Sequence, residues 1–572
     1  MPVVDVRLTA LSDSFPNITL TEIIEKMPYI GLDIEGVDEN SGTIRVEFNP
    51  NRPDYSSENG IMRALKGLFE KEVGLPIVKA IEESDYVICV DETLDNIRPV
   101  ICAFVAKRKE PLDGHEISQL ISMQEDLHNG VGRKRKKSSI GMHNLDNVVF
   151  PLKYSTVPKH FSFIPLDKEN EFTIESILKN LDVGKKYGHV LHDPDVFPIL
   201  SDSQKNVLSF PPIINGNLTK IKSNTNNLLI EVTSINEKSA HDILSILSFE
   251  LYDMGFKIYS VNINSHSGES IKTPVLKQSI MIVSDGYINK ILGLKLSNDE
   301  LIKCLEKSRC SGKVLENGDL ECSFPRYRID IFNPVDVSEE VAIGYGIYRF
   351  DTSSSSSSSS SSYPSLYFSG KRHVNSIIFD SIRDVLIGLG FVEIINTNII
   401  SKDAIDDFFI KVDDADLVSI KDSKSSEFEI LRNSIIPSIM VTLSKNIHEK
   451  YPQKLFEIGK TFKVQHSELK EAWSLGVVIA HNYTNYSEIK SVLESLMKYC
   501  FNKNIKTPRC NFEYYLNGHS AKILFSESDI GDIGEIYPQV IENFKLRTLV
   551  SVFQINLNSL MDLLDLKKMN YL

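Results

Sequence analysis

No two cysteines of this 572-residue chain are spaced as CxxC, and the seven present, at 89, 102, 304, 310, 322, 500 and 510, form an odd, scattered set. That excludes a structural zinc ribbon and a disulfide framework, and it points to buried thiols in a reducing, cytoplasmic setting. No run of about 18 apolar residues occurs, so neither a membrane span nor a membrane partner is expected. The opening MPVVDVRLTALSDSF lacks a basic segment followed by an apolar one, so no secretory signal is expected. Positive charge is also short: 63 Lys and Arg stand against 77 Asp and Glu, a formal net charge of −14. Bulk charge therefore cannot hold a nucleic acid, and any such contact must come from a local patch or a partner. No Ser/His/Asp order and no metal-ligand spacing names a nucleophile.

What is present is the composition of a soluble globular protein, 42% hydrophobic and 24% charged, long enough for several domains. Residues 1–85 read as mixed α/β. TLTEIIEKMPYIG is a short helix with Thr19 or Thr21 near its start, GTIRVEFN alternates like a strand, and a Pro-rich turn leads into a helix with Ile61, Ala64, Leu65 and Leu68 on one face. Residues 86–265 combine strands (YVICV, VICAFVA, NLLIEVTS) with helices (EISQLISMQEDLHNGVG, SAHDILSILSFELYDMG). They also carry a basic run, RKRKK at 133–137, and a Pro-rich stretch, LSFPPIING.

Residues 270–350 form a small helix and hairpin unit. Ser297 followed by Glu300 predicts a capping box, and Asn317-Gly318 predicts a hairpin with a type I′ turn. Ten consecutive serines, 353–362, mark residues 351–363 as a linker. Residues 364–572 read as α+β, with helices at VNSIIFDSIRDVLIGLGF and SEIKSVLESLMKYC, the latter with Ile489, Val492, Leu493, Leu496 and Cys500 on one face.

RYRIDIFNPVDVSEE, at 326–340, gathers the acids Asp330, Asp336, Glu339 and Glu340. Asn333 suits an N-cap, Pro334 the first helical position and Asp336 the third, so three of the acids fall in the first two turns, where the helix dipole favours negative charge. The same four carboxylates are also a ligand set for a hard divalent cation such as Mg²⁺. Spacing leaves both readings open.

NPNRPDYSSENGIMRAL, GRKRKKSSIGMHNLD, VLSFPPIINGNLTKI, RYRIDIFNPVDVSEEVAIGYG, LRNSIIPSIMVTLSKN, YPQKLFEIGKTF, SEIKSVLESLMKY and GDIGEIYPQVIENFKL occur in this order. Together they make the chain resemble the family of phenylalanyl-tRNA synthetase β subunits, in the archaeal/eukaryotic form and nearer the archaeal one. The serine tract departs from that family, and the bacterial form's inserted tRNA-binding and C-terminal anticodon-binding domains have no counterpart.

The resemblance implies an α+β multidomain chain: a mixed α/β N-terminal domain, an α+β editing domain, a small helical/hairpin domain, and a C-terminal class II synthetase-like antiparallel sheet with helices. It implies an α subunit as partner in an (αβ)₂ heterotetramer that joins phenylalanine to tRNA(Phe) with ATP, which the α subunit binds. The strand KLFEIGKTF offers no Arg to grip ATP phosphate, as an inactive domain would have it. The family's Mg²⁺ ligands map onto Asp330, Asp336, Glu339 and Glu340. The editing domain is expected to hydrolyse mischarged Tyr-tRNA(Phe), with Ser209, Glu231 and Thr233 as its residues and Glu231 as acceptor for the phenolic hydroxyl. The basic run is expected to meet tRNA phosphates or to be a solvated loop. The rival reading is a freestanding tRNA-binding or trans-editing protein without a ligase partner.

Overall fold

The computed structural model describes residues 2–38, 42–78, 81–191, 195–350, 370–409, 417–421, 423, 425–465 and 468–564. The predicted linker and its serines lie outside the described residues. The chain forms two units, Met1–Ser360 and Ser361–Leu572. Both mix helices with sheets, as the α+β reading requires. Among the described residues no helix is long and apolar enough to cross a membrane.

The first unit begins with a three-stranded antiparallel sheet, Val3–Arg7, Thr43–Phe48 and Leu32–Asp38 in spatial order. Alternation buries Ile44, Val46 and Phe48 against Leu11, Ile23, Ile61 and Leu65. Thr19 caps the helix Leu20–Lys26 by accepting the Glu22 N–H, and Ser57 caps Glu58–Leu68 through the Gly60 N–H.

An 11-stranded sheet follows. Its main path runs Ile214–Asn215, Val207–Phe210, Val196–Ser201, Leu152–Pro158, Val87–Val90, Lys257–Asn264, Val100–Lys107, Asn227–Ser234, Ser138–Asn144. Helices Gly114–Asn129 and Glu237–Asp253 cover one face of the last strands. Leu120, Met123, Leu127, Ile243 and Leu247 meet Ile140, Ile230 and Val232 there. Asp113 and Glu116 close a capping box at the first helix. On the opposite face Leu229 shares a core with Leu200, Leu208 and Tyr154 from the far strands, so the sheet curls over on itself.

The unit ends with the three-stranded sheet Ser279–Val283, Leu320–Phe324, Ser311–Val314 and the helices Asp285–Leu292, Asn298–Lys307 and Pro334–Tyr345. Their core is Val283, Ile288, Leu301, Leu305, Cys310, Leu320, Phe324, Val337 and Val341. The Ser297–Glu300 capping box forms, with the Ser297 N–H donating to Glu300 Oε2 at 2.8 Å. The Asn-Gly hairpin also forms, but not with a two-residue type I′ turn. The last ladder pair is Val314 with Leu320, and Leu315 and Asp319 add a further hydrogen bond outside it. The Gly318 N–H closes a turn onto the Leu315 carbonyl, and Gly318 alone takes the left-handed conformation, φ +88°. This is a three-residue loop, in which one left-handed glycine does the work that type I′ asks of two residues.

The second unit is built on a six-stranded sheet: Val392–Glu393, Gln453–Gln465, Glu468–Ala480, Val550–Asn556, Ser528–Ile536, Tyr515–Phe525. All pairs are antiparallel except the first. Helices Val374–Gly388, Tyr486–Phe501 and Leu557–Leu563 cover one face, burying Ile382, Leu386, Ile489, Leu493, Leu496 and Leu560 against Phe456, Val477 and Phe553. Helix Ile436–Lys445 lies in a second core with Val478 and Val552. All seven cysteines are free, and Cys102, Cys304, Cys310 and Cys322 are buried.

Candidate functional site

Glu231 is a carboxylate in the middle of a strand, Asn227–Ser234, where Leu228, Leu229, Ile230 and Val232 are apolar core. The ladder sets Ala103 on one side of it and Gly141 on the other. Both neighbours are small, and the space they leave is needed: a Cβ on Gly141 would stand 2.2 Å from Glu231 Oε1 and 2.7 Å from His143 Nε2. The curl of the sheet brings Ser209 over this position, and its hydroxyl donates to Glu231 Oε1 at 2.9 Å. Both residues are only 2% exposed. The second oxygen, Oε2, is buried with no hydrogen-bond partner. An unmatched carboxylate oxygen out of contact with water is costly, and its presence marks a place where a donor is wanted.

Glu231 is among the residues that line a cavity of about 580 Å³, within the range that suits a small organic ligand. Ser209, Glu231, Ser139, Gln124, Arg135 and Asn215 contribute polar groups, and Ile121, Ile140, Phe210 and Ile213 contribute apolar ones. Thr233, two residues along the same strand as Glu231, does not line it. Its hydroxyl is fully buried, accepting from Arg98 Nε at 2.9 Å and bonded to Ser139 Oγ at 2.9 Å. The structure thus brings Ser209 and Glu231 together and places Thr233 behind Ser139.

Among the described residues Arg98 has no carboxylate in hydrogen-bond contact. Besides Thr233 Oγ1 it donates to the Thr233 carbonyl and to Ser139 Oγ. Burial pushes it down to about 10, against the opposing charges of Tyr154 and Glu231. His143 is also buried, with Nδ1 bonded to Thr219 Oγ1 at 2.8 Å and Nε2 standing 3.8 Å from Glu231 Oε1 without a hydrogen-bond partner. On the cavity wall Glu125 is held down to about 2, by its hydrogen bond with His128 and then by Arg135. Arg98, Gly141 and His143 went unnoticed in the sequence. Their roles depend on cross-strand register, and no local pattern signals them.

The acidic stretch folds as its local grammar requires, with helix Pro334–Tyr345 starting after Asn333. Asp336 Oδ2 accepts from the backbone N–H groups of Phe332 and Asn333, both at 2.7 Å. Arg328, 2% exposed at its side chain, donates to Asp330 at 2.9 and 2.8 Å and also to Glu340. Among the described residues the Glu339 side chain has no ion-pair or hydrogen-bond partner. Burial raises its pKa, and so does the nearby charge of Glu340. A hard cation needs carboxylate oxygens free of competing donors, one or two of them for Mg²⁺, which keeps several waters. Here Arg328 already supplies the positive charge for two of the four carboxylates, and the helix start takes a third. Among the described residues no group of three or more His, Cys, Asp or Glu side chains is arranged to hold a metal ion. The four residues expected to hold Mg²⁺ therefore do not form one ligand set in this arrangement.

In the second unit Arg432 is buried with Glu457, Nη1 to Oε1 at 2.7 Å, and also bonds the Lys460 carbonyl. Strands Gln453–Gln465 and Glu468–Ala480 carry no arginine.

The profile of the family described as "Phenylalanyl tRNA synthetase beta chain CLM domain" matches residues 360–557, and that of "tRNA synthetase B5 domain" matches residues 281–347. The Phenylalanine--tRNA ligase beta subunit of Methanocaldococcus jannaschii is 35% identical over 97% of this chain and 100% of its own length. The corresponding protein of Archaeoglobus fulgidus is 34% identical over 94% of this chain and 95% of its own. An N-terminal fragment of the phenylalanyl-tRNA synthetase β subunit from Pyrococcus horikoshii, solved as a crystal structure, superposes with a TM-score of 0.58 at 31% identity. It covers 60% of this chain and all of the fragment.

Proposed function

The chain belongs to the family of phenylalanine–tRNA ligase β subunits, and from that membership we propose that its cavity at Ser209 and Glu231 hydrolyses tRNA(Phe) wrongly charged with tyrosine. As a β subunit it is part of an aminoacyl-tRNA ligase. Phenylalanine activation, with its ATP, falls to an α subunit in an (αβ)₂ assembly. This division is supported by the lack of arginine on the central strand pair of the second unit and by the commitment of Arg432 to Glu457.

The observation that carries the hydrolytic reading is Glu231, a buried carboxylate with one oxygen lacking a donor, among the residues that line a ligand-sized cavity. A tyrosyl side chain brings the missing donor in its phenolic O–H, and phenylalanine does not. An activating pocket shaped for the smaller apolar side chain rejects an added hydroxyl by only about 10²-fold, whereas a site built to bond that hydroxyl rejects the analogue without it by about 10⁴–10⁵. Two sites with opposite preferences give the accuracy that neither gives alone. In the reaction water adds to the ester carbonyl carbon, the bond from that carbon to the ribose oxygen breaks, and that oxygen takes the proton. The products are tyrosine and uncharged tRNA.

The test is deacylation by the assembled enzyme carrying Glu231→Ala. The ratio of kcat/KM for tyrosyl-tRNA over phenylalanyl-tRNA is expected to fall at least tenfold, while phenylalanine charging holds. An unchanged ratio would refute Glu231 as the reader of the hydroxyl.

A further inference from the structure

The turn that joins helix Gly114–Asn129 to strand Ser138–Asn144 holds three successive residues in the left-handed region: Arg133 (φ +49°), Lys134 (φ +54°) and Arg135 (φ +66°). Side chains with a Cβ rarely adopt that conformation, and glycine or asparagine would occupy it with less strain. Strain at successive positions persists only where the surroundings over-determine it. Here Arg135 pins the turn. Its guanidinium donates to Glu125 at 2.7 Å and to the Ile213 carbonyl at 3.0 Å, and it lies over the Tyr187 ring at 4.4 Å. The Arg135 N–H bonds the His128 carbonyl, and the Lys137 N–H bonds that of Gly132.

Arg135 lines the cavity of Ser209 and Glu231, so the pinned turn forms part of its rim. Arg133, Lys134 and Lys136 are exposed, and among the described residues none of their side chains has an ion-pair or hydrogen-bond partner. Lys168 lines the same cavity, and Lys186 lies over the Tyr187 ring that Arg135 covers. A cluster of unpaired cations in a chain of net charge −14 repels itself, which bound anions relieve. The substrate of a hydrolytic site for charged tRNA carries one phosphate per nucleotide up to its 3′ end.

We propose that Arg133, Lys134 and Lys136 hold the backbone phosphates of the RNA strand whose 3′ end enters this cavity. The assignment rests on the hydrolytic reading of the cavity. It adds the element that presents the RNA to it: a turn whose left-handed backbone aims charge outward while Arg135 stays on the wall.

The variant Arg133→Asn/Lys134→Asn/Lys136→Gln removes the three charges and places Asn, which tolerates the left-handed backbone, at the two left-handed positions. In the assembled enzyme, deacylation is measured on tyrosyl-tRNA across a salt series and on tyrosyl-adenosine, an ester with no phosphate. For tyrosyl-tRNA, KM is expected to rise at least tenfold, and the log–log salt slope to become shallower by about 2, as three fewer phosphate contacts require. Tyrosyl-adenosine turnover should not change. The charge-keeping pair Arg133→Lys/Lys134→Arg should behave as wild type. Unchanged KM and slope for tyrosyl-tRNA would overturn the proposal. Equal loss on both esters would also overturn it, showing a structural role. If the wild type hydrolyses neither ester, the hydrolytic reading fails. The dissociation constant of uncharged tRNA(Phe) then decides the phosphate contacts: a tenfold weakening in the variant supports them, and an unchanged value overturns them.

Discussion

Gly141 does for Glu231 what no larger residue can. Its backbone is ordinary strand, so alanine fits there conformationally, but the added methyl would stand 2.2 Å from the carboxylate oxygen. Gly141→Ala is therefore expected to keep the fold while driving the Glu231 side chain off Ser209. Overpacking of this kind costs about 1–3 kcal/mol, which a thermal melt will register as a modest shift. The larger effect is expected on chemistry, at least a tenfold loss in tyrosyl-tRNA deacylation with phenylalanine charging intact. A variant with wild-type deacylation would show that the carboxylate's position is not what the site depends on. At this scale the sequence offered Ser209, Glu231 and Thr233 alike, as polar residues on the segments LSFPPIING and NLLIEVTS. It did not tell Thr233 apart from its neighbours. Thr233 shares a strand face with Glu231, and only the positions of Arg98 and Ser139 show that its hydroxyl is already used.

Helix Pro334–Tyr345 shows how much of an element is written locally. Asn333, Pro334 and Asp336 set its start, and the Asp336 carboxylate does take two backbone N–H groups. Asp336→Ala is expected to cost about 0.5–2 kcal/mol, as loss of such a cap does, read as a lower melting temperature. Added Mg²⁺ is expected to leave the melting of wild type and variant alike unmoved, because Arg328 occupies Asp330 and Glu340. A Mg²⁺-dependent rise in the wild type that vanishes in the variant would put a cation at the helix start after all. Caps at Ser57, Ser297 and Asn485 form for the same local reason: a side-chain oxygen reaches an N–H three residues on. The Asn-Gly hairpin is the counterexample. Its dipeptide marked the loop, but strand pairing set the loop length and with it the turn type.

For the whole molecule, the two readings of function separate on partnership. Expressed with an α subunit, the chain is expected to co-purify as a complex that charges tRNA(Phe), and to charge nothing when made alone. A monomer that binds or deacylates tRNA tightly and ignores the α subunit would favour the freestanding alternative. What the sequence determined by itself was family, element types and helix caps, since these rest on residue identity and on neighbours within a few positions. What only the tertiary structure decided is which side chains meet. Ser209 and Glu231 lie on strands six steps apart in one sheet. At about 4.8 Å per step a flat sheet would hold them about 29 Å apart. The curl that buries Leu229 against Leu200 and Leu208 closes that gap to one hydrogen bond. The same closure leaves Glu231 Oε2 dry and unmatched, and burial against distant strands is a property that no spacing along the chain encodes.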